Sequence, residues 1–207
     1  MKFSLSLLFF LVFSSFFSQL KVKNKAPLST LSMRSTQQTE YSLEQLKQKN
    51  GLLVIFSCNS CPFVVGSDDF PGWEQQYDSL FALASQNAIG MVLINSNEGK
   101  REGADSYEEM VTHGQAMKYQ MPYLMDTKSV LADAFGARTT PHVYLFDETL
   151  TLIYTGSIDN SWDKLRTKNE RYLVDVIQAK GLGKKIKINT TDPKGCGIKR
   201  IPPTNKN

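Results

Sequence analysis

An uninterrupted apolar run that leads directly into a pair of cysteines is the feature that most constrains this 207-residue chain. Residues 52–56 read Leu-Leu-Val-Ile-Phe, which predicts a buried strand, and Cys58, Cys61 and Pro62 follow as Cys-x-x-Cys-Pro. If a helix begins at the cysteines, its free N–H groups and its dipole favour ionisation of the first thiol. The thiolate is the form that attacks disulfides. The spacing therefore predicts a thiol–disulfide exchange site in which Cys58 attacks and Cys61, one helical turn further on, closes a disulfide with it.

Three other uses of such a pair were weighed. A structural zinc site needs two further ligands at suitable spacing, and the remaining candidates, Cys196, His113 and His142, lie singly along the chain. Covalent haem attachment requires a histidine directly after the second cysteine, where Pro62 stands. A structural disulfide stays open as an alternative, because exported proteins use them. The sequence predicts neither a metal nor another cofactor.

The first 18 residues predict a signal peptide. Lys2 supplies a positive charge, and residues 3–17 form an apolar run that only serines interrupt. This length suits the apolar core of a signal peptide and is short for a membrane span. Cleavage after Ser18 would leave a mature chain that begins at Gln19. We therefore expect an exported protein, periplasmic or secreted; an uncleaved anchor is the alternative and would be the chain's contact with a membrane.

Positive charge is concentrated at the C-terminal end. The chain carries a formal net charge of +4, and from Lys180 onward eight basic residues accompany a single acid, Asp192. Residues 181–207 contain no aromatic side chain on which a base could stack, so nucleic-acid binding is not predicted. We expect residues 181–207 to form a basic, solvated and partly ordered tail.

Between these ends the pattern predicts one α/β domain over residues 41–180, preceded by a linker or short edge strand over residues 19–40. Apolar runs at 52–57 and 88–95 indicate buried parallel strands, and runs at 141–146 and 151–155 indicate a hairpin. Helices are predicted over residues 42–50, from 61 to a break at 70–72, and over 73–85, 106–119, 129–135 and 163–179.

The order of these features resembles the thioredoxin-like redoxins, a family related to the peroxiredoxins. The resemblance covers about residues 28–200 and implies a thioredoxin-like α/β fold, a mixed sheet with helices on both faces. Its motifs are Phe-Ser-Cys-Asn-Ser-Cys-Pro-Phe at 56–63, Ile-Asn-Ser-Asn at 94–97, Thr-Pro-His-Val-Tyr-Leu-Phe-Asp at 140–147 and Gly-Cys-Gly-Ile-Lys at 195–199.

The resemblance also implies roles for individual residues. Cys58 would attack substrate disulfides, and Cys61 would resolve the mixed disulfide. A cis peptide bond before Pro141 would face the thiols, and the turn would present the backbone of Thr140 to an incoming peptide. The implied partners are proteins with disulfides or dithiols and an unidentified redox partner. The direction of electron flow is not readable from these residues.

The chain departs from related thioredoxins where a proton acceptor is expected. Leu52 stands six residues before Cys58, at a position where many thioredoxins have a buried acid. The acceptor would then be water or one of three loop carboxylates, although each carboxylate is by default a solvated surface charge. These are Asp68, Asp69 and Glu98.

Two other functions remain as alternatives. Peroxiredoxins carry a Pro-x-x-x-Thr-x-x-Cys loop, but Gly51 and Ile55 stand at its proline and threonine positions. A thiol peroxidase would also need an arginine, for which Arg138 is the candidate. A copper- or metal-binding redoxin-like module would combine the cysteines with a histidine; His142 is predicted to be packed, and His113 to face solvent.

Cys196 is the odd cysteine of the predicted exported protein. It lies between two glycines and two lysines, and the lysines would favour a thiolate. One interpretation is a small residue packed against the domain, since unpaired cysteines are often buried. The other is a third exchanging thiol, which a folded-back tail would bring within reach of Cys58 or Cys61.

Overall fold

The computed structural model describes residues 18–201, so the proposed signal peptide, apart from Ser18, lies outside the described residues. The strands are β1 (Met33–Arg34), β2 (Glu40–Tyr41), β3 (Leu52–Ser57), β4 (Gly90–Asn95), β5 (Tyr123–Met125), β6 (Thr139–Thr140), β7 (His142–Phe146), β8 (Leu152–Gly156) and β9 (Cys196–Gly197). The α-helices are α1 (Leu43–Leu46), α2 (Pro62–Val65), α3 (Tyr77–Gln86), α4 (Tyr107–Ala116), α5 (Val130–Phe135) and α6 (Tyr172–Gly181).

Five strands form a mixed sheet in the order β5-β4-β3-β7-β8. The central strand β3 runs parallel to β4 and antiparallel to β7, and all six of its residues are buried. An apolar run with both faces covered is typical of such a central strand. The expected α/β fold, the buried strands and the hairpin β7–β8 are confirmed.

Helices cover both faces of this sheet. Because side chains alternate along a strand, Leu53 and Ile55 of β3 point into one core layer, and Val54 and Phe56 point into the other. The first layer holds the buried sides of α3 and α6 together with both cysteines of the pair. The second layer holds the buried sides of α1 and α5.

The helix after the cysteines is shorter than predicted. It ends at Val65, where Gly66 has a φ of 100°, and the chain then turns through residues 67–72 before a 3₁₀ turn leads into α3. Gly72 has a φ of 82°, and a Cβ there would lie 2.3 Å from the carbonyl oxygen of Val64. The turn therefore requires glycine at position 72, where the backbone of the turn lies closest to α2.

The predicted last helix, 163–179, is wrong in its first half. Only Tyr172–Gly181 is helical, and residues before it form turns. The sole apolar aliphatic side chain in 163–171, Leu165, is 90% exposed, so this stretch has no face to bury against the sheet. Two other predicted helices end earlier than expected: α4 ends at Ala116, and α1 begins with the predicted capping box of Ser42 and Gln45 but ends at Leu46. The predicted ends of α3 and α5 agree with the structure to within one residue.

Residues 19–40, predicted as a linker or a short edge strand, pair with the edges of the sheet. The N–H of Lys23 donates to the Leu152 carbonyl at one edge of the sheet, and the N–H of Thr36 donates to the Tyr123 carbonyl at the other edge. Strands β1 and β2 form a separate ribbon, and Ser35 bridges to Leu124. Backbone hydrogen bonds hold this segment on the domain. Its polar side chains gave no sign of this pairing in the sequence.

The C-terminal tail, expected to be solvated and partly ordered, is held on the domain by backbone pairing. The N–H of Thr191 donates to the Thr155 carbonyl, β9 pairs with β6, and the N–H of Lys199 donates to the Asn97 side chain. Ile198 is buried in the second core layer. The tail therefore crosses the same end of the sheet as the cysteines. Within residues 18–201, no helix has the length and apolar character needed to cross a membrane.

Candidate active site

The register of two strands brings the cysteine pair beside Thr140. Phe56 of β3 lies opposite His142 of β7 in an antiparallel pair. Continuing the pair by two residues places Cys58 next to Thr140, because antiparallel partners move in opposite directions along their chains. The Thr140–Pro141 peptide bond is cis, as the resemblance implied.

Both sulfur atoms of the pair contact Thr140. The Sγ of Cys58 lies 3.1 Å from the Thr140 hydroxyl oxygen, and the Sγ of Cys61 lies 3.1 Å from the Thr140 carbonyl oxygen. Cys58 is 1% exposed and Cys61 is 4% exposed, so both thiols lie at the base of the site rather than on its surface. All three cysteines are in the free thiol form.

The pKa values of the two thiols shift in opposite directions. A hydrogen bond from the Cys58 thiol is the main cause that lowers the pKa of Cys61, with help from the Cys196 thiol and backbone N–H. The same interaction with Cys61, followed by burial, raises the pKa of Cys58. The reduced site therefore favours one thiolate on Cys61 that Cys58 supports, whereas the sequence predicted the first cysteine as the more easily ionised thiol.

A buried carboxylate that the sequence interpretation missed holds the loop between the cysteines. Asp105 accepts the backbone N–H of Asn59 over 2.8 Å and the hydroxyl of Ser60 over 3.1 Å. It also accepts the side-chain amides of Asn95 over 2.7 Å and Asn97 over 3.0 Å. Four donors on one buried charge fix the residues between Cys58 and Cys61 in place. The motif Ile-Asn-Ser-Asn at 94–97 was the available signal, because it supplies two of the donors.

The three predicted proton acceptors lie elsewhere. Asp69 pairs with Lys164 on the surface, Glu98 pairs with Arg101, and Asp68 is exposed. Asp68 and Asp69 thus have the solvated or surface-paired environment that is the default for an acid, whereas Glu98 forms a largely buried ion pair.

The histidines lie apart from the sulfur atoms. His142 packs against the Tyr144 ring, which belongs to the core layer opposite the cysteines, and its Nδ1 accepts the Arg138 N–H. His113 is not the solvent-facing side chain that was expected, because its Nε2 lies 2.5 Å from a carboxylate oxygen of Glu74. Within residues 18–201, no group of three or more His, Cys, Asp or Glu side chains is placed to hold a metal ion.

The docked tail brings Cys196 to the pair. Cys196 lies opposite Thr140 in the β6–β9 ladder, and its backbone N–H donates to the Cys61 sulfur over 3.3 Å. A cavity of about 220 Å³ opens at this point. Its lining residues are Ser60, Cys61, Asn97, Lys100, Ala104, Thr140, Cys196, Gly197 and Lys199. A reactant that enters it meets Cys61 and Cys196.

Several solved structures are similar to this chain. An uncharacterized conserved protein from Geobacillus kaustophilus has 25% sequence identity and a TM-score of 0.78, with 88% of this chain and 93% of that chain covered. The peroxidoxin BcpB from Mycobacterium tuberculosis has 12% identity and a TM-score of 0.56, with 81% and 99% covered. The thioredoxin domain of a thiol-disulfide oxidoreductase from Bacteroides vulgatus has 14% identity and a TM-score of 0.52, with 66% and 89% covered. No curated protein matches the chain.

These similarities establish a thioredoxin-like fold. The family model described as Redoxin matches residues 21–173, which include β3, the Cys58–Cys61 pair and the hairpin. The fold and this match support, in general terms, a thiol–disulfide oxidoreductase or a peroxidase. Since the match spans well over half of the sequence, the chain belongs to the Redoxin family.

Proposed function

We propose that the protein is an exported thiol–disulfide oxidoreductase in which Cys58 attacks a substrate disulfide and Cys61 resolves the mixed disulfide. The observation that carries this proposal is the arrangement of two interacting thiols around Thr140, directly after a buried strand. Thiol–disulfide exchange needs a thiolate, a second thiol within reach and access for a disulfide. The cysteine pair supplies the first two, and the cavity beside it opens onto Cys61 and Cys196.

Cys61 supplies the missing proton acceptor, because its sulfur and that of Cys58 both contact Thr140. The Cys61 thiolate takes the proton of Cys58, and the Cys58 thiolate then attacks one sulfur of the substrate disulfide. The substrate's first thiolate leaves and takes the proton back from Cys61. Cys61 then attacks the sulfur of Cys58, which forms the Cys58–Cys61 disulfide and releases the second substrate thiolate to be protonated by solvent. The two protein thiols are oxidised, and one substrate disulfide is reduced to two thiols.

The size of the opening supports a protein substrate. Pockets for drug-sized ligands usually enclose about 300–1,000 Å³, whereas this cavity encloses about 220 Å³. The cavity is large enough for one half of a disulfide, a single half-cystine side chain of a larger partner. We therefore propose proteins with disulfides or dithiols as substrates, and a further redox partner that restores the starting state.

Serine variants of the mature chain, residues 19–207, test the mechanism. Cys58→Ser should abolish the reduction of insulin disulfides, and Cys61→Ser should accumulate a mixed disulfide that non-reducing gel electrophoresis detects. If Cys58→Ser accumulates the mixed disulfide instead, Cys61 is the attacking residue. Normal turnover by either variant would refute the exchange mechanism.

A thiol peroxidase is the second candidate, because the Thr140 hydroxyl lies 3.1 Å from the Cys58 sulfur and could donate to a bound peroxide. The arginine expected beside it, Arg138, is exposed, and its backbone groups bond to His142 and Ile198. Peroxide consumption measured beside insulin reduction separates the two functions. A peroxidase would consume hydrogen peroxide much faster than it reduces insulin.

The proposal of export rests on the sequence of residues 1–18. Cleavage between Ser18 and Gln19 would keep the whole segment that pairs with the domain, including Leu20, whose N–H donates to the Phe135 carbonyl. Protein purified from the extracellular or periplasmic fraction of its host should begin at Gln19 by N-terminal sequencing. A mature chain that begins at Met1 would refute cleavage.

A further inference from the structure

Three cysteines converge on one residue of the domain. Thr140 contacts Cys58 through its hydroxyl and Cys61 through its carbonyl, and it is the strand partner of Cys196. The backbone N–H of Cys196 donates to the Cys61 sulfur over 3.3 Å, and both residues line the same cavity. Cys196 is therefore part of a cluster of nucleophilic side chains and not an isolated thiol.

The tail is held in the position that this contact requires. The N–H of Ile198 donates to the Arg138 carbonyl, and the N–H of Gly99 donates to the Lys199 carbonyl over 2.6 Å. A Cβ at Gly195 would lie 2.2 Å from the Thr140 carbonyl oxygen. Only a residue without a side chain lets the tail approach Thr140 closely enough to place Cys196 beside Cys61.

We propose that Cys196 is a third exchanging thiol that attacks Cys61 of the Cys58–Cys61 disulfide. The inference rests on the proposed exchange at Cys58 and Cys61, which supplies that disulfide. Cys196 gives its proton to solvent, the bond between Cys58 and Cys61 breaks, and a bond between Cys61 and Cys196 forms. Cys58 leaves as a thiolate and is free again. One disulfide replaces another, so no oxidant or reductant is consumed.

The loss of negative charge on Cys61 favours this step once the Cys58–Cys61 disulfide has formed. Burial and the neighbouring Cys61 raise the pKa of Cys196 to about 11, so Cys196 stays a neutral thiol while Cys61 is a thiolate. Once Cys61 belongs to a disulfide, its negative charge is gone and Cys196 ionises more readily. Lys199, which lines the cavity, favours the thiolate. Cys196 thus becomes a better nucleophile once the disulfide that it attacks has formed.

Disulfide mapping of the mature chain tests this step. After oxidation with glutathione disulfide and an acid quench, mass spectrometry of wild-type protein should find Cys61–Cys196 beside Cys58–Cys61, with Cys58 open to alkylation in the first form. Cys58→Ser should form Cys61–Cys196 as its main disulfide. Cys196→Ser should form only Cys58–Cys61.

Two glycine variants provide a matched control for the geometry. Gly195→Ala places a methyl group against the Thr140 carbonyl and should lower the yield of Cys61–Cys196 at least tenfold. A Cβ at Gly197 meets only the Arg138 carbonyl oxygen, at 3.9 Å, so Gly197→Ala should keep the wild-type yield. Both variants should still form Cys58–Cys61, which shows that the domain is folded.

The two proposals fail in different ways. If insulin reduction requires Cys58 and Cys61 but neither wild type nor Cys58→Ser forms Cys61–Cys196, the third-thiol step is wrong and the exchange mechanism stands. If Cys58→Ser or Cys61→Ser reduces insulin normally, the exchange mechanism itself is wrong.

Discussion

Asp105 organises the active-site loop through a single buried negative charge. Its carboxylate accepts four hydrogen bonds, and two of the donors belong to the residues between the cysteines. Replacing it with asparagine keeps the shape but turns one acceptor into a donor. The Asp105 charge also raises the pKa of Cys58, so its loss should make that thiol more reactive.

We therefore expect Asp105→Asn to lower the free energy of unfolding by about 2 kcal/mol, the usual cost of an unsatisfied buried donor. Urea denaturation measures this change. Iodoacetamide should alkylate Cys58 faster in the variant when Cys61 and Cys196 are both serine. Asp69→Asn, which removes only an exposed ion pair with Lys164, is the control and should leave stability unchanged. Equal stability of the two variants would show that Asp105 has no structural role.

His142 makes stability depend on pH. Burial is the main cause that lowers its pKa to about 3, and the nearby Arg138 charge adds to the effect. The unfolded chain binds a proton at this residue below its ordinary pKa of about 6.5, while the folded chain does not. The unfolded state therefore binds more protons, and stability is present above pH 6.5 and falls as the pH drops towards 3.

Between neutral pH and pH 5 we expect His142 to remove about 2 kcal/mol of stability. Urea denaturation at half-unit steps measures the slope, and His142→Gln should flatten it. A wild-type curve that is flat from pH 7.5 to pH 5 would contradict a neutral buried His142.

The spacing of neighbouring residues was enough to predict the cysteine pair, and the resemblance to the redoxins implied the cis bond before Pro141. Asp105 could not be predicted in the same way, because its role depends on a loop folding back onto Asn59 across 46 positions of sequence. Its own sequence surroundings are polar and resemble any surface loop. Long-range proximity of this kind follows from strand order and register, which a single sequence leaves undetermined.

At the level of elements, apolar periodicity predicted the buried strands well and the helix ends poorly. The strand β3 is apolar on both faces, and its bounds agree with the prediction. The helix α2 ends where the backbone of Gly66 and Gly72 takes positive φ values. The sequence marked a break at residues 70–72, but α2 already ends at Val65. The sequence also did not indicate that the chain then returns to pack against Val64.

The turn at Gly72 gives a prediction about the stability of the domain. Gly72→Ala combines a positive φ with a contact of 2.3 Å to the Val64 carbonyl oxygen, at the end of the helix that follows Cys61. Gly183→Ala is the matched control, because Gly183 has a φ of 63° but open space around it. The control should cost about 1 kcal/mol, the ordinary penalty of a left-handed backbone. Gly72→Ala should cost at least about 2 kcal/mol more, measured by urea denaturation; equal losses would show that the close approach is not rigid.

At the level of the whole molecule, the two chain ends protect the edges of the sheet. The outer edge of β8 bonds to Lys23 and Asn24 near its start and to Asn189 and Thr191 near its end. Unpaired edge strands invite pairing with other chains, and covering them prevents it. The sequence indicated a linker or short edge strand and a solvated, partly ordered tail. It did not reveal the extent of this pairing, because backbone hydrogen bonds are independent of side-chain polarity.

Removing the N-terminal cover should therefore destabilise the domain and make it self-associate. A chain that begins at Leu28 lacks the bonds from Lys23 and Ala26 to Leu152 and Leu150, and it exposes backbone donors and acceptors of β8. We expect a loss of a few kcal/mol in the free energy of unfolding, because several net hydrogen bonds of about 1 kcal/mol each disappear together with buried apolar area. Light scattering at increasing concentration should show oligomers that the chain beginning at Gln19 does not form. Lys21→Ala, which changes only a side chain of the same segment, is the control. A monomeric and equally stable truncated chain would show that residues 19–27 contribute nothing to the fold.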